Sequence, residues 1–256
     1  MPLLPEVSDL RALVVGASQG IGLGFVRYLL QMPQVTQVVA TYRTPETASE
    51  LLALATEHPD RLHCLVMDIT DEAQIISGLA KLQTVTHRLH IVVNCVGFLH
   101  TQDIKPEKRL QQIETDQLLR YFQVNSIGAI LLAKHLMPLL NHTERNLFAT
   151  LSAKIGSIDD NRLGGWYGYR ASKAALNMLL KTAAIEYRRK SKHTMIVMLH
   201  PGTTDTQLSQ PFQRGVPPGK LFSVERTVNQ LMQVLAQVEL PDTGSFFSWD
   251  GSRLPW

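Results

Sequence analysis

Short β-branched runs alternate with longer helix-favouring stretches from one end of this chain to the other, and that alternation leaves few architectures open. The runs are Leu13 to Val15, Gln37 to Thr41, Leu62 to Met67, Ile91 to Cys95, Leu147 to Leu151, Met195 to Leu199 and Phe246 to Ser248. Between them, helix is expected near 21–31, 45–57, 71–83, 114–140, 170–189 and 223–238. Strands that are apolar on both faces belong in a parallel sheet covered by helices on either side. The pattern therefore predicts an α/β protein with a doubly wound parallel sheet of about seven strands and helices on both faces. No repeat, low-complexity block or linker divides the sequence. Its 256 residues, 45% of them hydrophobic, suit one large core, so 1–256 reads as a single domain.

Composition removes several classes of function. The net charge is only +3, and the one basic cluster of note, Arg188, Arg189, Lys190 and Lys192, falls at an expected helix end, where cations complement the dipole. Without a basic stripe, nucleic acid is not an expected partner. The apolar run Ala12 to Ala17 is too short to span a bilayer, and the first residues carry no basic leader, so neither a membrane span nor export is expected. The two cysteines, Cys64 and Cys95, cannot build a disulfide framework and fit a reducing cytoplasm. The nine histidines show no ligand spacing, so no metal is expected.

Two segments point to chemistry. The first expected strand runs into Gly16-Ala17-Ser18-Gln19-Gly20-Ile21-Gly22, where glycines permit a sharp turn and a close approach to a pyrophosphate, and the following helix N-terminus offers amide donors. The acidic residue that would hold the ribose of NAD is missing at the end of the second strand, and Arg43 stands just beyond. That favours NADP(H) over NAD(H), with an ordinary surface arginine as the alternative. The second segment is Tyr169-Arg170-Ala171-Ser172-Lys173 in an expected helix, a phenol and an ammonium one turn apart on one face. Lys173 is expected to draw the Tyr169 hydroxyl from about 10 toward neutrality, making it a usable proton donor and acceptor. Between 201 and 222 lies a long stretch rich in proline and glycine, read as a lid over a substrate pocket or a passive loop.

Taken in order, Gly16-x-x-x-Gly20-x-Gly22, Asn94-Cys-Val-Gly97, Asn125, Ser152 and Tyr169-x-x-x-Lys173 resemble the short-chain dehydrogenase/reductase superfamily over nearly the whole length, nearest its C-factor-like and sniffer-like carbonyl reductases. The resemblance implies a single Rossmann-type domain and hydride transfer between NADP(H) and a small or medium carbonyl or alcohol. It implies that Tyr169 moves the proton, and that Lys173 supports Tyr169 and holds the nicotinamide ribose. Asn125 would sit at a helix irregularity and position a relay water. Ser18, Gln19 and Ile21 would join the glycines around the cofactor, with Asp68 and Ile69 at the adenine. Asn94 and Gly97 would lie along the cofactor, and Pro201, Gly202, Thr203 and Thr206 beside the nicotinamide. A homodimer or homotetramer packed through the helices near 114–140 and 170–189 is implied as well.

The sequence departs from the family at the hydroxyl that orients the substrate carbonyl. That position is Ala153, and the stretch from Ser152 to Tyr169 is longer than the family usually shows. Ser152 is the candidate replacement, with an ordinary strand-end hydrogen bonder as the alternative. The same departure keeps open a cofactor-binding sensor or signalling protein with little turnover. Tyr167 is the weaker rival to Tyr169, because its partner four residues on is Ala171.

Overall fold

A computed structural model describes residues 3–256. Seven parallel strands form the central sheet: β1 (Leu10–Val15), β2 (Val35–Tyr42), β3 (Leu62–Val66), β4 (Ile91–Asn94), β5 (Asn146–Leu151), β6 (Thr194–His200) and β9 (Ser245–Ser248), in the order β3-β2-β1-β4-β5-β6-β9. The order reverses between β1 and β4, which is where a doubly wound sheet opens a crevice at the carboxyl ends of its strands.

Alternation along β1 shows why the runs are apolar throughout. Leu10, Ala12 and Val14 enter one core with Phe25, Val26 and Leu29 of α1 (Gly20–Gln31), Leu51 of α2 (Ser49–Glu57) and Leu231 and Leu235 of α7 (Val224–Leu235). Leu13 and Val15 enter the other with Ile75 and Leu79 of α3 (Glu72–Gln83), Leu132 and Leu136 of α5 (Gly128–Leu140), and Leu176 and Leu180 of α6 (Tyr167–Lys190). Successive strand residues point to opposite faces, so a sheet clothed on both sides has no polar positions to spare. Asp71 caps α3 by accepting from the amides of Ala73 and Gln74, and Ser223 caps α7 by accepting from Arg226. Arg188, Arg189 and Lys190 of the basic cluster lie in the last turn of α6, where Lys190 pairs with Glu186, and Lys192 follows just beyond it.

Two stretches refine the sequence expectation. The helix foreseen over 114–140 is divided into α4 (Thr115–Phe122) and α5 by one π turn over Gln123–Ile127, and Asn125 lies inside it, at the helix irregularity that the family resemblance implies. The region 201–222 is not structureless: β7 (Thr203–Thr204) pairs in parallel with β8 (Leu221–Phe222), and a 3-10 turn spans Gln210–Gly215. No helix among the described residues is long and apolar enough to cross a membrane.

Candidate active site

The turn from β1 into α1 is built around glycine. Gly16 and Gly20 have φ of 75° and 54°, in the left-handed region. A Cβ on Gly22 would lie 2.1 Å from Gly16 O, so no other residue fits there. The helix opens at Gln19 with no side-chain cap and no acidic residue in its first turn, and the amides of Gly20, Ile21 and Gly22 donate to nothing among the described residues. Free amides at a helix N-terminus beside a glycine turn are a ready anion site. Ser18 and Gln19 line the same turn, Gln19 exposed and Ser18 half-buried.

Other cofactor candidates ring this turn. Arg43 is exposed just past β2 and forms no ion pair among the described residues. Asp68 Oδ1 accepts from the amide and hydroxyl of Thr70 at 2.9 and 2.8 Å, while Oδ2 has no partner among the described residues. The Ile69 side chain is buried against Gly128 of α5, so only its backbone is left to meet a cofactor. Asn94 is buried and its Oδ1 accepts from Val96 N at 3.2 Å, holding the turn after β4. Thr206, beyond β7, lies opposite the cradle: its Cγ2 is 3.3 Å from where a Cβ on Gly20 would stand. Gly202 (φ 74°) packs beneath Phe222 and Trp249, between Pro201 and Thr203.

Tyr169 and Lys173 lie on α6, at 7% and 3% exposure. Lys173 Nζ donates to Leu151 O at 3.0 Å, stands 5.9 Å from the Tyr169 ring centroid, and lies 3.7 Å from where a Cβ on Gly97 would be. Asn125 Oδ1 accepts from Phe98 N at 2.7 Å, and its Nδ2 donates to Phe98 O and Ser172 Oγ at 2.9 and 3.0 Å. The carboxamide is thus spent clamping the loop after β4 to α6. The expected downward shift of Tyr169 is not what this structure shows. Burial pushes its hydroxyl up and pushes Lys173 down to about 8, because removing each charge from water outweighs their mutual attraction across this separation.

Ser152 is also placed differently from expectation. Its Oγ donates to Asn177 Oδ1 at 2.7 Å, whereas Ala153 packs in the apolar cluster that holds Tyr169. Ala153 is extended (φ −152°, ψ 142°), and neighbours on an extended backbone face opposite sides. The one-residue shift therefore turns the hydroxyl away from Tyr169. The rest of that cluster is Phe98, Leu99, Ile104, Tyr121, Ile155, Trp166, Leu208 and Phe212. Phe212, from the 201–222 region, meets Trp166 edge-on at 4.7 Å, and Trp166 meets Tyr169 at 6.2 Å. His100 Nε2 reaches the carbonyls of Gln207 and Leu208 at 3.3 and 3.2 Å, fastening this segment over the tyrosine.

A model of the family described as short chain dehydrogenase matches residues 11–216, from β1 through the segment that covers Tyr169. The chain belongs to the short-chain dehydrogenase family. Its fold is similar to that of the carbonyl reductase Sniffer of D. melanogaster, with a TM-score of 0.85 and 28% identity over 97% of this chain and 100% of that one. It is likewise similar to an NADPH-bound carbonyl reductase from chicken fatty liver, with a TM-score of 0.86 and 28% identity over 97% of this chain and 99% of that one. The C-signal protein of Myxococcus xanthus is 29% identical over 147 residues, which are 57% of this chain and 83% of that protein.

Around the site of this short-chain dehydrogenase the structure also places residues that sequence reasoning passed over. Tyr121 is fully buried, donates to Leu99 O at 2.7 Å and sets its ring 6.3 Å from that of Tyr169. Trp166 has φ 54°, a conformation costly for a bulky residue, immediately before α6. Its position after Gly164 and Gly165, both with positive φ, was the available signal. Glu107 is buried at 1% exposure although it stands in Lys105-Pro-Glu-Lys-Arg109, which reads as solvated charge and gave no signal at all. At the other end of β4, His90, His142 and Glu144 come together. His90 Nδ1 accepts from Arg11 N at 3.1 Å, so its Nε2 carries the proton toward Glu144, and no lone pair on that ring is left for an ion.

Proposed function

We propose that this chain is an NADP(H)-dependent oxidoreductase that moves a hydride between nicotinamide and a small to medium, partly apolar carbonyl or alcohol, with Tyr169 as general acid and base. The observation that carries the reading is Lys173, a buried ammonium with a single hydrogen-bond partner among the described residues, beside Tyr169 and Gly97 at the carboxyl ends of β4 and β5. An ammonium has three donors, and leaving the others without acceptors in the interior is costly unless a ligand takes them.

The residues present fit a dinucleotide. The amides of Gly20, Ile21 and Gly22 suit its pyrophosphate, Asp68 Oδ2 an adenine amino group, Arg43 a 2′-phosphate and Lys173 the nicotinamide ribose. Gly16 lets the turn pack against Val96, Gly97 stands beside Lys173, and Pro201, Gly202, Thr203 and Thr206 are assigned to the nicotinamide end. When bound, such a cofactor supplies or accepts the hydride. Tyr169, kept neutral by burial, gives its proton to the carbonyl oxygen during reduction. In the alcohol direction Tyr169 must first release its own proton, an ionisation that the adjacent Lys173 charge favours, and as phenolate it then takes the proton of the alcohol. The apolar cluster above it excludes water and selects an apolar substrate. The NADPH described for the chicken relative supports NADPH here.

Titration with NADPH and with NADH, read by nicotinamide fluorescence and followed by an aldehyde and ketone panel, tests the reading. Tyr169→Phe is expected to abolish turnover and leave NADPH affinity nearly unchanged; turnover in that variant defeats the mechanism. Ala153, apolar where a hydroxyl is expected, favours a second reading: a cofactor-binding sensor with little turnover. Binding without turnover across the panel, with a response surviving Tyr169→Phe, distinguishes it. Two free thiols fit a reducing cytoplasm. Exposed Leu119, Ile127, Met178 and Ile185 on α4 through α6 suit a homodimer, which light scattering at micromolar concentration tests.

A further inference from the structure

Helix α6 begins without a cap of its own. Its Ncap residue, Trp166, makes no side-chain cap hydrogen bond, and no acidic residue occupies the first turn. The missing acceptors come from the loop after β4. Glu107 Oε2 accepts from Gly168 N at 3.2 Å, and the Glu107 backbone carbonyl accepts from Trp166 N. Its other carboxylate oxygen, Oε1, accepts from Gln117 Nε2 at 3.0 Å. Gln117 and Tyr121 are one turn apart on α4 and face the start of α6 together.

Gly168 closes the bracket. A Cβ there would lie 2.4 Å from Tyr121 Cδ2 and 2.9 Å from Glu107 Oε1, so α6 meets both partners directly through its backbone. The next residue is Tyr169. A buried carboxylate whose side-chain partners are one backbone amide and one carboxamide is held at a helix N-terminus for a reason, and here that terminus carries the proton-transfer group.

We propose that Glu107 is a positioning residue for Tyr169: with Gln117, Tyr121 and Gly168 it fixes the first turn of α6, and so the direction of the Tyr169 hydroxyl, from outside the helix. The inference rests on the reading of Tyr169 as general acid and base. Proton transfer depends steeply on geometry, and a misplacement of about 1 Å costs on the order of a hundredfold in rate.

The test uses the full-length chain with Glu107→Ala and, in case that variant fails to fold, the isosteric Glu107→Gln. Hydrogen exchange over 166–170 reads the bracket without any substrate. Faster exchange there, with exchange over the β1–α1 turn unchanged, is expected; unchanged exchange over 166–170 in a folded variant overturns the proposal. With NADPH and benzaldehyde, or whichever aldehyde or ketone the wild type reduces, kcat is expected to fall about tenfold or more in Glu107→Ala. NADPH affinity should stay within about twofold, because the pyrophosphate cradle lies on α1 and Lys173, beyond the first turn of α6, is tied to Leu151 O rather than to Glu107. The solvent deuterium isotope effect on kcat should rise as proton transfer is impaired, and Glu107→Gln, which keeps an acceptor for Gly168 N, should recover part of the rate. A wild-type kcat, or kcat and NADPH affinity falling together, overturns the proposal. Tyr169→Phe is run in parallel. Turnover in that variant defeats the site reading itself, whereas its loss together with a wild-type Glu107→Ala defeats only the positioning role.

Discussion

Replacing Lys173 by methionine separates what the buried ammonium costs the fold from what it contributes to the site. Burial lowers its pKa from 10.5 to about 8, so the folded chain holds this proton less tightly than the unfolded chain does. At about 1.4 kcal/mol per unit, the charged side chain costs the fold about 3 kcal/mol wherever both states are protonated. The cost is fully present below the folded pKa of about 8. It shrinks as pH rises toward 10.5, because only the unfolded chain still binds the proton, and it vanishes above that. Methionine has similar reach and no charge, so its stability carries no such slope. Loss of the bond to Leu151 O offsets the comparison at every pH without producing that slope. Urea unfolding of both chains at about pH 6.5 and pH 10 should show the difference in stability moving by about 2.5 kcal/mol in favour of the wild type at the higher pH. Parallel pH dependence of the two chains would refute the claim that Lys173 is held desolvated in the fold.

Three other substitutions probe separate parts of the site. Gly22→Ala puts a methyl group into Gly16 O, so NADPH binding should fall below detection and stability by about 1–3 kcal/mol; wild-type affinity in fluorescence titration contradicts the assignment of the turn. Arg43→Ala should weaken NADPH roughly tenfold and leave NADH nearly unchanged, and an equal effect on both would remove the 2′-phosphate from Arg43. Ala153→Ser restores a hydroxyl on the side of the strand end that faces Tyr169, and kcat for carbonyl reduction should rise by about tenfold; an unchanged kcat means that the alanine is not the missing donor.

The layered fold was legible because each central strand is apolar on both faces: Ile91 to Val93, for example, cannot sit on any surface. The cradle glycines were legible for a similar reason, since their spacing after a strand has one main structural use. What periodicity does not carry is the hand of a single side chain. Ser152 and Ala153 are neighbours, and only the extended backbone between β5 and the next turn decides which of them faces Tyr169. Spacing likewise leaves out the larger part of the mutual effect of Tyr169 and Lys173. Adjacency on a helix face gives the pair its attraction, but the depth of burial, set by residues as far away as Phe98 and Phe212, gives the larger opposing contribution. The π turn at Asn125 adds one residue to a helical pattern whose periodicity reads as unbroken, and only the family resemblance pointed to it. Glu107 lay hidden because its environment is composed of residues distant in the chain.

The ladder between β1 and β4 matches Ala12 with Ile91, Leu13 with Val92, Val14 with Val93 and Val15 with Asn94, residues that the chain separates by the whole of β2, α2, β3 and α3. Parallel pairing of this kind comes late and slowly in folding, because loop closure precedes its reward. Until it occurs, Ile91 to Val93 and the apolar strand Thr194–His200 offer unpaired edges to other chains. Gly16 rests on Val96 only across that ladder. If the cradle binds the dinucleotide proposed for it, capture would report that the two halves of the sheet have met, and a dinucleotide present during refolding should raise the yield of native protein by withdrawing completed molecules from the aggregation-prone pool.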